Sequence, residues 1–94
     1  MIYKAKIKKS FVVENELGLH ARPAAELAKC AQNYKANIIL SYAGLTADVR
    51  SVVEILMLAA GKGAEISIEG DGEEAEEALN AIIQLASQEF NVTY

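Results

Sequence analysis

Only one side chain in this sequence belongs to the class that changes charge near neutral pH, the imidazole of His20. It stands in Gly18-Leu-His-Ala-Arg-Pro-Ala24, beside Arg22 and the only proline, Pro23. An imidazole can be a metal ligand, a proton shuttle or a nucleophile. One histidine and one cysteine, Cys30, make no cluster of soft ligands, so no metal is expected, and Cys30 reads as a small hydrophobe inside a helical pattern. That leaves acid–base or nucleophilic chemistry, and the position of His20 favours the second. It falls at the first residue of a helical pattern, where the leading amides have no intrahelical acceptor and the dipole stabilises anions. Arg22 adds a permanent charge whose donor fork fits phosphate oxygens. Pro23 costs no helical hydrogen bond in a first turn and stiffens it. The same positive surroundings disfavour imidazolium and leave one ring nitrogen nucleophilic. His20 could thus become an anionic phosphohistidine, held by Arg22 and the backbone amides of Ala21 and Arg22. The plainer alternative is a histidine that caps the helix or packs on a sheet.

The elements that must position these groups can be read from periodicity. Ile7 to Glu14, with Phe11, Val12 and Val13, predicts a strand, and the polar run to Gly18 a loop. Ala24, Leu27, Ala28 and Ala31, opposed by Arg22, Glu26, Lys29 and Gln32, predict an amphipathic helix from Ala21. Ile38, Leu40 and Tyr42, a turn at Ala43-Gly44, and Leu45, Ala47 and Val49 predict a hairpin. Ser51-Val-Val-Glu54 fits a capping box, with the serine accepting from the Glu54 amide and the glutamate reaching back. Its helix should run to about Ala59, before Gly61-Lys62-Gly63. Ala64, Ile66 and Ile68 alternate with Glu65, Ser67 and Glu69 as a strand with one wet face. Asp71 to Glu74 can cap a last helix with a core stripe of Ala75, Ala78, Leu79, Ile82 and Ala86, and Asn91 to Tyr94 are expected to fray. The order βαββαβα implies an α+β open-faced β-sandwich over residues 1–94, a single domain with a four-stranded, mostly antiparallel sheet and three helices on one face.

Composition narrows the partners. Hydrophobic residues are 52% and aromatics only 6%, so Ala, Val, Ile and Leu must build the core. The longest apolar run, Ile55 to Ala60, is far short of the roughly 20 residues of a membrane span, and no membrane insertion is expected. A cytoplasmic monomer without a cofactor is the expectation. A net charge of −4 disfavours nucleic acid as a partner, and Lys4, Lys6, Lys8 and Lys9 read as a solvated strand edge.

The segment from Gly18 to Ala24 resembles the active-site motif of HPr, the histidine-containing phosphocarrier of the bacterial phosphotransferase system. Lys62-Gly63-Ala64-Glu65-Ile66 resembles the start of that family's last strand, and the likeness extends over nearly the whole chain. It implies a carrier rather than an enzyme: His20 accepts a phosphoryl group on Nδ1 from phosphorylated enzyme I and gives it to a IIA domain or protein, with Arg22 steadying the phosphate. The alternative within the resemblance is a regulator whose His20 phosphorylation state signals to partners. Ser51 falls where the family has a regulatory serine, which implies a serine kinase/phosphorylase, although an N-cap with Glu54 as its partner is the plainer reading and Glu54 would add negative charge beside any phosphate. Two departures stand out. About five extra residues precede the histidine, a longer first strand, and Arg50-Ser51-Val-Val-Glu54 is closer to the nitrogen-branch, NPr-like type than to the sugar branch. In the helix after Ser51, geometry directs Val52, Ile55, Leu56 and Ala59 inward and Val53, Met57 and Ala60 outward. The resemblance makes Val53 and Met57 apolar anchors for partner docking, rimmed by Arg50 and by Glu54 as a selectivity element.

Overall fold

Alternating apolar and polar residues give each strand one face to bury, and the pairing shows which. A computed structural model describes residues 6–94. The strands are β1 (Ile7–Val12), β2 (Asn37–Tyr42), β3 (Leu45–Asp48) and β4 (Glu65–Asp71). The helices are α1 (Ala21–Ala31), α2 (Val52–Met57) and α3 (Ala75–Ser87). The sheet order is β1-β4-β2-β3, and all three pairings are antiparallel. Phe11 lies opposite Ile66, Leu40 opposite both Ile68 and Ala47, and all are buried. Their neighbours in sequence, among them Ser67, Glu65, Thr46 and Asp48, face solvent. The helices cover the buried face, with the predicted stripes on α1 and α3 turned inward. This is the expected open-faced sandwich.

Two details follow from charge and space. Lys9 falls on the covered face opposite Ile68, and its stem carries the ammonium out to Asn80 Oδ1 of α3 at 2.8 Å. Lys6 pairs with Glu69 at 3.4 Å, so these lysines are matched by neighbouring polar groups, while Lys4 and any lengthening of the first strand lie outside the described residues. Gly70 sits beneath α3, where an added Cβ would touch Leu79 Cδ2 at 3.4 Å and Ala75 Cβ at 3.5 Å. The helix approaches closely because β4 has no side chain there.

Three local expectations need correction. Ser51 Oγ accepts from the Glu54 amide at 3.2 Å as predicted, but Glu54 Oε1 accepts from the Asp48 amide at 2.9 Å. The Ser51 amide is already donated to the Asp48 carbonyl, so the carboxylate takes the next unpaired donor back along the chain. The helix also stops at Met57, and Ala59 has φ 52°, the left-handed turn that follows many helix ends. That turn carries Ala60 into the core and leaves Ala59 exposed; within the helix itself Leu56 is exposed, and Leu58, just after it, is buried instead. Lastly, Asp71 remains in β4, and α3 starts after Glu74, whose Oε1 accepts from the Lys35 amide at 2.7 Å. Ser51→Ala should destabilise the protein by about 1 kcal/mol, a fall of about 4–8 °C in thermal midpoint by calorimetry. An unchanged midpoint would show that the Ser51 bond contributes nothing.

Candidate phosphoryl-acceptor site

The loop before α1 is shaped by contacts that leave little freedom at His20. Gly18 has φ 71°, and an added Cβ would lie 2.5 Å from the Ala60 carbonyl oxygen and 2.8 Å from Gly61 Cα. Only glycine fits against the segment that leaves α2. The Leu19 amide then donates to the Ala60 carbonyl at 2.9 Å, and Leu19 itself is buried. His20 follows as the N-cap residue of α1, extended at φ −79° and ψ −171°, and its side chain makes no capping bond. The carbonyl of His20 accepts from the Ala24 amide at 3.0 Å. Pro23 occupies the third helical position and has no N–H, so the unpaired amides of the first turn are those of Ala21 and Arg22. Among the described residues neither finds an acceptor.

The ring of His20 is half-buried, and its Nε2 is enclosed with no hydrogen-bond partner. The ring of Tyr94 stacks on it, with centroids 5.1 Å apart and planes 14° apart. Arg22 reaches the same tyrosine, its Nη1 donating to Tyr94 Oη at 2.7 Å. His20, Arg22 and two unpaired amides are therefore together at one helix start, suited to holding an anion on the imidazole. Among the described residues no group of three or more His, Cys, Asp and Glu side chains is placed to hold a metal. No helix there is long and apolar enough to cross a membrane.

The family model described as the HPr component phosphorylation site of the phosphotransferase system matches residues 7–88. The chain belongs to the HPr family. Its relatives include phosphocarrier protein NPr of Klebsiella oxytoca, 41% identical over 90% of this chain and 96% of that one. Phosphocarrier protein HPr of Cupriavidus necator is 34% identical over 89% of this chain and 94% of its own. Among solved structures, HPr of Bacillus anthracis superposes with a TM-score of 0.81 at 37% identity, covering 86% of this chain and 96% of that one.

Within this HPr fold the predicted docking residues separate into two kinds. Val53 and Met57 are 67% and 71% exposed, joined by Leu56 and, on the loop before His20, Leu17. Arg50 and Glu54 are committed within the protein. Arg50 donates from Nη1 to the Ala36 carbonyl at 2.9 Å and from Nη2 to the Tyr34 carbonyl at 3.0 Å, bracing the approach to β2. Glu54 caps the Asp48 amide as described above. Cys30 is half-buried at the far end of α1, and burial pushes its thiol pKa up, away from the reactive thiolate. Lys62 donates to Glu16 at 2.9 Å, and the carboxylate raises its pKa, but both groups are exposed and the pair is worth little.

Sequence reading missed Tyr94 and Asn15, and the expectation that residues 91–94 fray is corrected. Val92 is buried and the Leu17 amide donates to the Tyr94 carbonyl at 3.0 Å. Asn15 is fully buried, and its Nδ2 donates to the Glu89 and Val92 carbonyls at 2.9 and 3.2 Å. The partners of Asn15 and Tyr94 lie more than 70 residues away in the sequence, and the turn at Glu89 to Asn91 breaks any period of two there.

Proposed function

We propose that this protein is a phosphocarrier that accepts a phosphoryl group on His20 Nδ1 from phosphorylated enzyme I and passes it to a IIA domain or protein. The observation that carries this reading is the enclosed Nε2 of His20, on a residue directly followed by two unpaired helix amides. A donor arriving from solvent cannot reach Nε2, so Nδ1 is the nucleophile. Its lone pair attacks phosphorus in line, the bond from phosphorus to the donor's histidine nitrogen breaks, and that electron pair returns to the donor ring. This chain supplies position and compensating charge: the Ala21 and Arg22 amides and the Arg22 guanidinium meet the oxygens of the transferred group. The exchange between two nitrogens moves no electrons to a redox centre, so no cofactor of this chain is invoked.

The nitrogen branch is favoured by the 41% identity to an NPr and by Arg50-Ser51-Val-Val-Glu54. Ser51 is assigned to capping. A phosphate there would have to stand beside the Asp48 and Glu54 carboxylates, an unfavourable meeting of like charges. The test is to incubate the protein with phosphoenolpyruvate and enzyme I of either branch. The expected product is an acid-labile, base-stable phosphate, one per chain, formed faster with the nitrogen-branch enzyme; no such product with either would overturn the reading. Arg22→Ala should slow transfer by about tenfold or more with a nearly unchanged thermal midpoint, because charge-assisted bonds to phosphate are made only with the transferring group. Equal single-turnover rates for variant and parent would remove Arg22 from the mechanism.

A further inference from the structure

The two side chains that the carrier reaction uses share a neighbour that the reaction itself does not require. The Tyr94 ring lies flat against the His20 imidazole, its hydroxyl accepts from Arg22 Nη1, and the guanidinium carbon stands 5.6 Å from its ring centroid. We infer that Tyr94 is a positioning residue for phosphoryl transfer, which holds the imidazole in one orientation and keeps the guanidinium beside it until a phosphoryl group arrives. The inference rests on His20 being the acceptor.

The placement of Tyr94 is built by the fold. Glu89, Phe90 and Asn91 have φ of 53°, 56° and 58°, three successive non-glycine residues in the left-handed region. Such a run persists only where surrounding contacts impose it. Here those contacts are the two bonds from buried Asn15 to the Glu89 and Val92 carbonyls and the full burial of Phe90, edge-on to Phe11 at 5.8 Å. The turn reverses the chain after α3, and the Leu17 amide then fixes the Tyr94 carbonyl on the loop that carries His20. One loop thus anchors both the nucleophile and the ring above it.

The chemical consequence follows from what each contact restrains. An unrestrained imidazole reorients on the picosecond to nanosecond scale, and each orientation that turns Nδ1 away from the donor is unproductive. A stacked ring on one face, with Nε2 enclosed, removes those orientations before the encounter. Arg22 is a long, exposed side chain whose ordering also costs entropy, and the Tyr94 hydroxyl limits that cost by keeping it nearby. The bond to a neutral phenol is weaker than charge-assisted bonds to a phosphoryl group, so the guanidinium leaves Tyr94 for the phosphoryl oxygens when transfer begins. The Tyr94 contact therefore stores Arg22 without competing with the product.

The test uses full-length Tyr94→Ala and Tyr94→Phe. The first readout involves no phosphate: the His20 ring protons of the parent should show ring-current shifts in NMR, kept in Tyr94→Phe and lost in Tyr94→Ala. The second is single-turnover acceptance from phosphorylated enzyme I. Tyr94→Ala should lower the saturating rate by about tenfold while the half-saturating concentration changes by less than about twofold. Tyr94→Phe should fall by about threefold, and by nothing further in an Arg22→Ala background, because its missing hydroxyl acts only through Arg22. Parent-like saturating rates in Tyr94→Ala, or ring shifts that do not depend on Tyr94, would overturn the positioning role while leaving the carrier reading intact. A parent protein that takes up no phosphate, yet shows the ring shifts, would instead overturn the carrier reading on which the role rests.

Discussion

His20→Ala takes up no phosphate from enzyme I and phosphoenolpyruvate, while its thermal midpoint stays within a few degrees of the parent. The first half of this result follows from the chemistry available elsewhere. The Cys30 thiol is half-buried and held protonated by burial, and the Ser51 hydroxyl is engaged as the cap of α2. Beside Ser51, Arg50 is bound to the Ala36 and Tyr34 carbonyls, and the Asp48 and Glu54 carboxylates would oppose a phosphate. The second half follows from what His20 does not do. Its side chain makes no cap bond, and its Nε2 has no partner to lose. Truncation therefore removes a partly exposed ring and its stack on Tyr94, a loss of about 1 kcal/mol or less. Phosphate incorporation and calorimetry on the same sample separate the two effects. A variant that still incorporates one phosphate per chain would place the acceptor at another residue.

The site residues legible in the sequence are those whose chemistry is local. His20, Arg22 and Pro23 lie within one helical turn, and the rules for unpaired amides and helix dipoles act over that same distance. The long helices were equally readable, because Ala75, Ala78, Leu79, Ile82 and Ala86 repeat over enough turns to fix their phase, and all five are buried. The six-residue α2 offers fewer than two turns, too few to fix the phase at Leu56, and the left-handed Ala59 then changes the chain's direction, so the phase extrapolated to Ala59 and Ala60 failed as well. Tyr94 was out of reach for a different reason. Its contact with Arg22 spans 72 residues, and the Asn15 bonds that support it span 74 and 77. No local pattern ties a polar loop residue to carbonyls so distant. The same distinction applies to Arg50 and Glu54: their charge and exposure were readable, but the backbone groups they bind, across 14 and 16 residues for Arg50 and six back for Glu54, were not.

Met57→Glu should cut the rate of phosphoryl acceptance at limiting carrier by about 30-fold or more, the effect of losing an interface anchor worth at least ~2 kcal/mol, with little change in thermal stability. Met57 is 71% exposed, so a carboxylate there remains in water in the isolated protein and creates no buried charge. Its nearest like charge, Glu54, lies three residues back on the same helix and costs only a few tenths of a kcal/mol. The effect must arise in the complex. Val53, Leu56 and Met57 expose an apolar surface on α2, and the chain leaving α2 is joined to the His20 loop by the Leu19 bond to the Ala60 carbonyl. A donor that covers this surface while reaching His20 would enclose the new carboxylate against apolar atoms, with Arg50 held away on the Ala36 and Tyr34 carbonyls and unable to neutralise it. Met57→Leu, which keeps volume and polarity, should transfer at a rate within about threefold of the parent and so isolates the charge as the cause. If Met57→Glu also transfers within about threefold of the parent, the donor docks elsewhere, and the exposed face of α2 has no part in the approach to His20.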